Sequence, residues 1–522
     1  MKGMKVLLKK SNAAASRRFR GLVVWMFISV AIFLQGCGSA PDKRTITGQV
    51  RSEDGSGLSG VRIEVYRLTN ADNDWDDMRT KAPGTGTDKT ESLTFDPRGN
   101  SLLGSTTSDE SGNFALDFTS DRSEFNLFLS KGGRGWKYLF NKPAARVGEI
   151  TMPREDTLQS LVAIAAGQTV YTFAAGKSYY ISDDAYLLEP VENTMKVVFE
   201  KGCMIRFKDG KSLLIGAKGV EMNGTADEPV IFTSASTNAR SGSWNTLEIG
   251  RTLGDVPDGV RVRYARFDFA STGLSVGDAS TVGVSNAAFT SDEFAGLSVI
   301  GGGSLTVENS VFSKMTRLGI DANSQTGLCR FSRNVFRNSA RGAASTGAAS
   351  AALDSNICLS NTEFGLETFA TPDARLRNNF VRKCVTGLLL NNTTASVSGN
   401  TVETSSNIGI AFESSRGLVS TNTLTGCTYA VAIQFVQSPP GSPPSDMLNT
   451  GYGVSQNNLS SNSVAILNTN PKSFNVTSNY WGVANPASII TIASFLTDEN
   501  NQPVTAATNP VLSQPVINAG AR

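Results

Sequence analysis

The sequence predicts an all-β protein, in which a small β-sandwich domain precedes a right-handed parallel β-helix with coils of about 22 residues. Two observations favour this architecture. A repeat of about 22 residues runs through the C-terminal half of the chain. Before it, short segments near the N-terminus alternate apolar and polar residues with period two, which is typical of half-buried strands.

The repeat is carried by one apolar position in each coil. Asn stands two residues before most of these positions, and Gly follows six or seven residues after them. The intervals are 21 to 24 residues, apart from one of 35 that contains a Pro-rich insertion at 438–453. The column is Phe267, Phe289, Phe312, Phe336, Cys358, Val381, Val402, Leu424, Leu459 and Trp481.

Stacking explains this pattern. Coils of a parallel β-helix lie about 4.8 Å apart, so equivalent positions form columns, and an inward column must be apolar throughout. We expect Asn at a sharp turn, where it tolerates left-handed backbone and can bond the next Asn, and Gly at another corner. The helical spacing of Leu158, Leu161, Val162 and Ala165 predicts a capping helix over 154–166, within a linker at 150–168 that precedes the β-helix at 169–522.

Two stretches carry a family resemblance for the β-helix. GKSYYISDDAYLLEP…KGCMIRFKDGKSLLIGAKGVEMNGTADEPVIFTS…GSWNTLEI resembles the first coils of bacterial surface β-helix proteins, and SNYWGVANPASI (478–489) resembles their closing coil. The resemblance covers roughly 170–520 and implies membership of the pectate-lyase-like superfamily. It implies a fold, and a fold does not give a function.

The N-terminal domain is predicted at 45–140. TITGQVRSEDGSGLSGVRIEV, SDESGNFALDF and FNLFLS supply alternating strands and Gly-rich turns. These pieces resemble the carboxypeptidase-regulatory-like, transthyretin-like β-sandwich, a kind of domain that serves as a spacer or binding module. Its long loop holds Asp72, Asp74 and Asp76 at alternate positions, like the start of a calcium loop. Asp77 and Pro83 stand where that loop needs Gly and Glu, so a solvated acidic loop is favoured.

The N-terminus predicts export. Seven Lys/Arg without an acid precede a 14-residue uncharged apolar run at 21–34, too short for a confident membrane span. Leu34-Gln35-Gly36-Cys37 resembles the lipobox of bacterial lipoproteins. The resemblance implies that 1–36 is a signal peptide, that Cys37 is lipidated, and that 37–44 is a linker. Gly38 after the cysteine favours delivery to the outer membrane, on its periplasmic face or at the cell surface.

Composition limits the function. The chain has no histidine, which removes a Ser-His-Asp triad and His-ligated zinc. Beyond residue 36 there are 41 basic against 46 acidic residues, so no nucleic-acid partner is expected. The other five cysteines form no CxxC pair and are interpreted as buried apolar residues. We expect no cofactor.

One outward row of side chains carries the only nameable catalytic candidates. If the glycines mark a corner, the second residue after each points outward, which gives Ser275, Ser298, Asp321, Ala344, Glu367, Leu389 and Ala411. Asp321 and Glu367 are then two coils apart, roughly 9–10 Å, at the upper edge of an inverting glycosidase pair. Arg317, Arg337, Arg341 and Arg382 lie nearby and could contact uronate groups.

The leading functional hypothesis is non-catalytic. The clustered acids of glycosidases and lyases with this fold are missing, so the sequence favours a lipid-anchored envelope protein that binds a polysaccharide or a surface protein, as an adhesin or scaffold. The alternative is a lipid-anchored polysaccharide lyase or glycoside hydrolase. A structural envelope component without a ligand is the third class.

Overall fold

A computed structural model of the protein describes residues 42–68, 88–120, 122–161, 168–188, 195–250, 257–434, 452–469, 474–483, 485–492 and 505–520. The predicted signal peptide, Cys37 and the predicted acidic loop with Asp72, Asp74 and Asp76 lie outside these ranges.

The N-terminal unit consists of two sheets on one apolar core. The first sheet has the strand order Asn113–Ser120, Asp42–Arg51 and Arg146–Thr151. The second has the order Leu102–Thr107, Arg62–Arg67, Glu124–Ser130 and Lys137–Pro143. Ile46, Phe114 and Ile150 from the first sheet share a cluster with Ile63 and Leu127 from the second. The strands are β1 (Asp42–Arg51), β2 (Arg62–Arg67), β3 (Leu102–Thr107), β4 (Asn113–Ser120), β5 (Glu124–Ser130), β6 (Lys137–Pro143) and β7 (Arg146–Thr151), with a short helix α1 (Asp88–Ser92) after β2. Because β7 pairs with β1, this unit extends beyond the expected end at residue 140.

Most of the other described residues form the predicted right-handed parallel β-helix. Two strands, β8 (Glu155–Leu161) and Ser178–Leu188, open the stack. Each later coil contributes strands to sheets C, A and B in that order along the chain.

The strands of each sheet pair in parallel with the next coil. Sheet A comprises Met204–Phe207, Val230–Ser234, Ala265–Asp268, Ala288–Thr290, Val311–Ser313, Val335–Arg337, Ile357–Leu359, Phe380–Arg382, Thr401–Glu403 and Thr423–Thr425. Sheet B comprises Leu213–Gly216, Trp244–Ile249, Ala270–Gly277, Ala295–Ile300, Leu318–Asn323, Arg341–Thr346, Phe364–Phe369, Thr386–Asn391, Ile408–Glu413, Tyr429–Gln434, Val464–Asn468 and Ile490–Ile492. Sheet C comprises Val170–Phe173, Lys196–Glu200, Gly219–Asn223, Gly259–Arg263, Thr281–Ser285, Ser304–Glu308, Leu328–Ser332, Ser350–Asp354, Ala374–Arg377, Thr394–Ser398, Arg416–Ser420, Tyr452–Ser455, Phe474–Asn475 and Ala506–Ala507. A 3-10 turn at Pro486–Ile489 precedes the last strand of sheet B.

The predicted apolar column is the interior column of sheet A. Phe267, Phe289, Phe312 and Phe336 are fully buried and lie in register on successive coils. Their rings stack with centroids 4.8, 4.8 and 5.1 Å apart, which is the coil spacing itself. The column is therefore core, and it is not an exposed ladder for sugar stacking.

The helix predicted over 154–166 is wrong for residues 155–161, which form strand β8 in parallel register with Ser178–Leu188; residues 162–166 lie outside the described ranges. The apolar spacing misled because Leu158 packs against the interior as the first rung of the stack. Glu155 accepts hydrogen bonds from Arg206, two rungs further along the stack, at 2.7 and 2.6 Å, which ties this first rung to the coils that follow.

The asparagines form a ladder, as expected, but their backbone role differs from the prediction. Asn356 Nδ2 donates to Asn379 Oδ1 at 3.0 Å, and the backbone N–H of Asn356 donates to the same oxygen at 2.9 Å. The left-handed residue is the preceding one, such as Ser355 (φ 56°) and Asn378 (φ 55°). The ladder side chain is buried and satisfies backbone groups at the bend, so Asn is selected for its amide.

The recurring glycines lie within the strands of sheet B, and the expectation of a corner role is wrong. Gly319, for example, belongs to Leu318–Asn323. A Cβ on Gly319 would lie 2.4 Å from the carbonyl oxygen of Gly342, and one on Gly342 would lie 2.0 Å from that of Gly365. Successive coils approach too closely here for any side chain.

Candidate ligand-binding faces

The outer face of sheet A is covered by the N-terminal unit over its first coils. Met204, Ile231 and Ala288 of this face form one apolar cluster with aromatic and aliphatic residues of the N-terminal unit. Those residues are Tyr66, Leu93, Phe95, Phe128, Tyr138 and Phe140. The N-terminal unit is therefore docked along the side of the β-helix.

A buried charge cluster lies in this contact. Arg266 is fully buried and pairs with Asp268 and, at 2.6 Å, with Asp96 of the N-terminal unit. Arg98 also pairs with Asp96, at 2.7 Å, and donates to the carbonyl oxygens of Ser234 and Ser236 at 3.1 and 3.0 Å. Burial alone would raise the pKa of Asp96, but the hydrogen bonds from Arg98 and the charge of Arg266 hold it below its usual value.

Sheet B presents the predicted row outward. Ser298, Asp321, Ala344 and Glu367 are cross-strand partners on successive coils, so the register deduced from the glycine spacing is confirmed. Asp321 and Glu367 are separated by one coil, that of Ala344, which places them about 9–10 Å apart. Both side chains are half-buried.

The two carboxyl groups have the same electrostatic character. Burial raises the pKa of Asp321, and Arg317 partly opposes the shift. Burial also raises the pKa of Glu367, opposed by Arg341 and reinforced by Glu413 and other carboxylates. No hydrogen bond or ion pair to either carboxyl group is found within the described ranges. Two partly desolvated acids with open hydrogen-bonding capacity therefore lie on one accessible face.

Aromatic and cationic side chains flank these acids. Phe294, directly before the strand Ala295–Ile300, is 43% exposed, and Phe369, the last residue of Phe364–Phe369, is 38% exposed. The Arg317 guanidinium lies 4.6 Å from the Phe294 ring, and that of Arg341 lies 5.2 Å from the Phe364 ring. A sugar ring has apolar C–H groups on its face and hydroxyl groups around its edge. An apolar surface beside side chains that accept and donate hydrogen bonds therefore suits a bound sugar.

The four arginines proposed as neighbours divide between two sheets. Arg317 and Arg341 border sheet B, whereas Arg337 and Arg382 belong to sheet A, where they pair with Glu91 and Glu403. Sequence reasoning missed Glu413, whose pKa burial raises and whose carboxylate accepts from Asn391 at 3.1 Å. The signal was available, because Glu413 follows the outward row by two residues and so points to the same face.

Within the described ranges, no group of three or more Cys, Asp or Glu residues is arranged to hold a metal ion, and no helix is long and apolar enough to cross a membrane. Cys203, Cys329, Cys358, Cys384 and Cys427 are free and buried, as the sequence predicted. Burial raises the pKa of their thiols, to about 12 for Cys329 and Cys384.

Comparison with known proteins supports the fold. Residues 272–429 match the family model described as "Right handed beta helix region". The search of curated proteins gave no match. The resemblances of the β-helix to the pectate-lyase-like superfamily and of the N-terminal unit to carboxypeptidase-regulatory-like domains stay predictions.

Proposed function

We propose that this protein is an exported lipoprotein, anchored to the outer membrane through acylated Cys37, whose β-helix binds a polysaccharide along the outer face of sheet B without cleaving it. The lipobox-like Leu34-Gln35-Gly36-Cys37 supports the anchor. Two or more acyl chains are enough for stable membrane attachment.

The observation that carries the binding function is the pair Asp321 and Glu367. Both are half-buried on an open sheet, and neither has a hydrogen-bonding partner among the described residues. A buried or half-buried polar group without a partner costs free energy, which a ligand hydroxyl recovers by donating to it. Exposed Phe294 and Phe369 supply apolar surface for the ring faces.

Binding is favoured over cleavage because the two acids are shifted in the same direction. Hydrolysis by a carboxyl pair needs one protonated acid and one ionised base, and therefore environments that move the two pKa values apart. Here burial raises both. The separation of about 9–10 Å is the one feature that favours the second candidate, an inverting hydrolase, whose carboxyl groups lie about 6.5–9.5 Å apart.

Affinity electrophoresis of residues 38–522 through gels containing different neutral and acidic polysaccharides tests both candidates. We expect retardation over intact polymer, reduced for Asp321→Asn, Glu367→Gln and Phe369→Ala. Glu308→Gln, which changes an exposed carboxylate on sheet C, is the matched control and should be retarded like the unaltered chain. A cleared zone in the stained gel would establish the hydrolase, whereas no retardation on any polymer would overturn polysaccharide binding and favour a protein partner.

Acylation is tested separately. Cells that express the full chain and incorporate labelled palmitate should label it, and Cys37→Ser should remove the label and release the chain from the membrane fraction. Labelling that survives Cys37→Ser would contradict the anchor.

A further inference from the structure

A cavity lies where the N-terminal unit meets the edge between sheets A and B. Its volume is about 250 Å³. One wall is the segment Thr94–Asn100 of the N-terminal unit, and the other is formed by three successive coils of the β-helix. The coils contribute Thr290 with Ser291, Ser313 with Lys314, and Arg337 with Asn338.

The wall from the N-terminal unit is rigidly held. Arg98 donates to Asp96, to Thr233 Oγ1 at 2.9 Å and to two backbone carbonyls, and its guanidinium lies 4.3 Å from the Phe269 ring. Asp96 is held in addition by Arg266. Asp96 and Arg98 are therefore already paired, and this wall of the cavity is formed before a ligand binds.

Three polar side chains of the opposite wall are available to a ligand. Ser291, Lys314 and Asn338 occupy the same corner position on successive coils, with φ of 59°, 61° and 52°. Their side chains make no hydrogen bond or ion pair to any residue in the described ranges. Asp96 is the only acid among the described lining residues, and it is neutralised by Arg98 and Arg266. Arg337, the other lining cation of this wall, pairs with Glu91, so Lys314 leaves the cavity with an unbalanced positive charge.

We propose that this cavity binds a single anionic sugar residue, whose hydroxyl groups bond the Ser, Thr and Asn side chains and whose carboxylate or sulfate pairs with Lys314. The volume is below the roughly 300–1,000 Å³ of pockets for larger ligands, so one ring fits rather than a chain. A Lys ammonium serves as a point charge for either anion. This site is separate from the row on sheet B and does not depend on the function proposed for it.

Ligand titrations of residues 38–522 followed by NMR, with glucuronate, glucose 6-sulfate and glucose as probes, test the assignment. We expect at least one anionic sugar to bind tenfold or more tightly than glucose, and the tighter of the two identifies carboxylate or sulfate as the preferred anion. Lys314→Ala should remove the preference for the anion, and Asn338→Gly, which keeps the left-handed backbone, should weaken binding of all three sugars.

Lys383→Ala is the matched control. Lys383 occupies the same corner position three coils beyond Lys314, with φ of 56°, and does not line the cavity. It should leave all three affinities unchanged. Equal effects of Lys314→Ala and Lys383→Ala, no preference for either anion over glucose, or no saturable binding of any sugar would each overturn the proposal.

Discussion

Sheets A and B are built on the same coils and share one apolar interior, yet their outer faces differ. On sheet A, Arg266 and Asp268 are fully buried beneath the N-terminal unit. On sheet B, the comparable charges of Arg341 and Glu363 form a pair in which both side chains are more than 40% exposed. The same kind of ion pair is thus part of an interface on one sheet and a solvated contact on the other.

The difference shows which face is available to a long ligand. The first coils of sheet A are occupied by Phe95, Phe128 and Tyr138 of the N-terminal unit. A polymer cannot lie there unless the unit detaches. Sheet B carries its half-buried acids and exposed aromatic rings without such a cover from the described residues of the N-terminal unit. The N-terminal unit therefore restricts long ligands to other faces, in addition to any role as a spacer.

The largest expected effect comes from breaking the buried cluster. Arg266→Met removes the partner that Asp268 and Asp96 share, and a buried charge left without compensation costs about 3–5 kcal/mol. Urea unfolding followed by tryptophan fluorescence measures the loss. Arg341→Met on sheet B should cost about 0–1 kcal/mol, because exposed pairs contribute little. Similar losses for both variants would show that the two outer faces are equally solvated.

The carboxyl group of Asp292, at the corner between sheets A and B, is fully buried, whereas those of Asp321 and Glu367 on sheet B are half-buried. The Oδ1 of Asp292 accepts from the backbone N–H of Ala270 at 2.8 Å, and its Oδ2 is buried without a partner. Burial raises the pKa of Asp292 well above its usual value. The folded state thus holds a proton that the unfolded chain releases, and this acid destabilises the fold increasingly as the pH rises from about 4 toward its folded pKa.

Asp292→Asn keeps the acceptor and cannot ionise. We expect the variant and the unaltered chain to have similar free energies of unfolding near pH 4. At pH 8 the variant should be more stable by more than about 1.4 kcal/mol, the equivalent of one pKa unit. Urea midpoints across this pH range measure the difference. A difference in the free energy of unfolding that stays constant with pH would mean that folding does not raise the pKa of Asp292.

The β-helix could be predicted from the sequence because each coil repeats its neighbour to within a residue or two. That regularity fixed the register of Asp321 and Glu367, and hence the face they share. The sequence predicts a helix where the strand Glu155–Leu161 lies, because so short a segment, with Leu158 and Leu161 three residues apart, fits the periods of both a helix and a strand.

Docking of the N-terminal unit had no comparable signal. Asp96 and Arg266 are 170 residues apart in sequence, and nothing in either neighbourhood repeats or alternates in a way that pairs them. The cavity beside Lys314 and Asn338 had no sequence signal either, because its opposite wall is formed by that docking. Local periodicity predicts local and stacked contacts, and the sites that lie between units need the structure.

The smallest expected effect sharpens the contrast between enclosed and open carboxyl groups. Burial raises the pKa of Glu367, so its charged form also destabilises the fold as the pH rises through that pKa, and the destabilisation fades as the pH falls. The side chain keeps contact with solvent on sheet B, so Glu367→Gln should raise the free energy of unfolding at pH 8 by only about 0.5 kcal/mol. Near pH 4 the two proteins should be equal. A gain as large as that of Asp292→Asn would mean that the outer face of sheet B is covered in the folded protein, and the polysaccharide site would then have to be sought elsewhere.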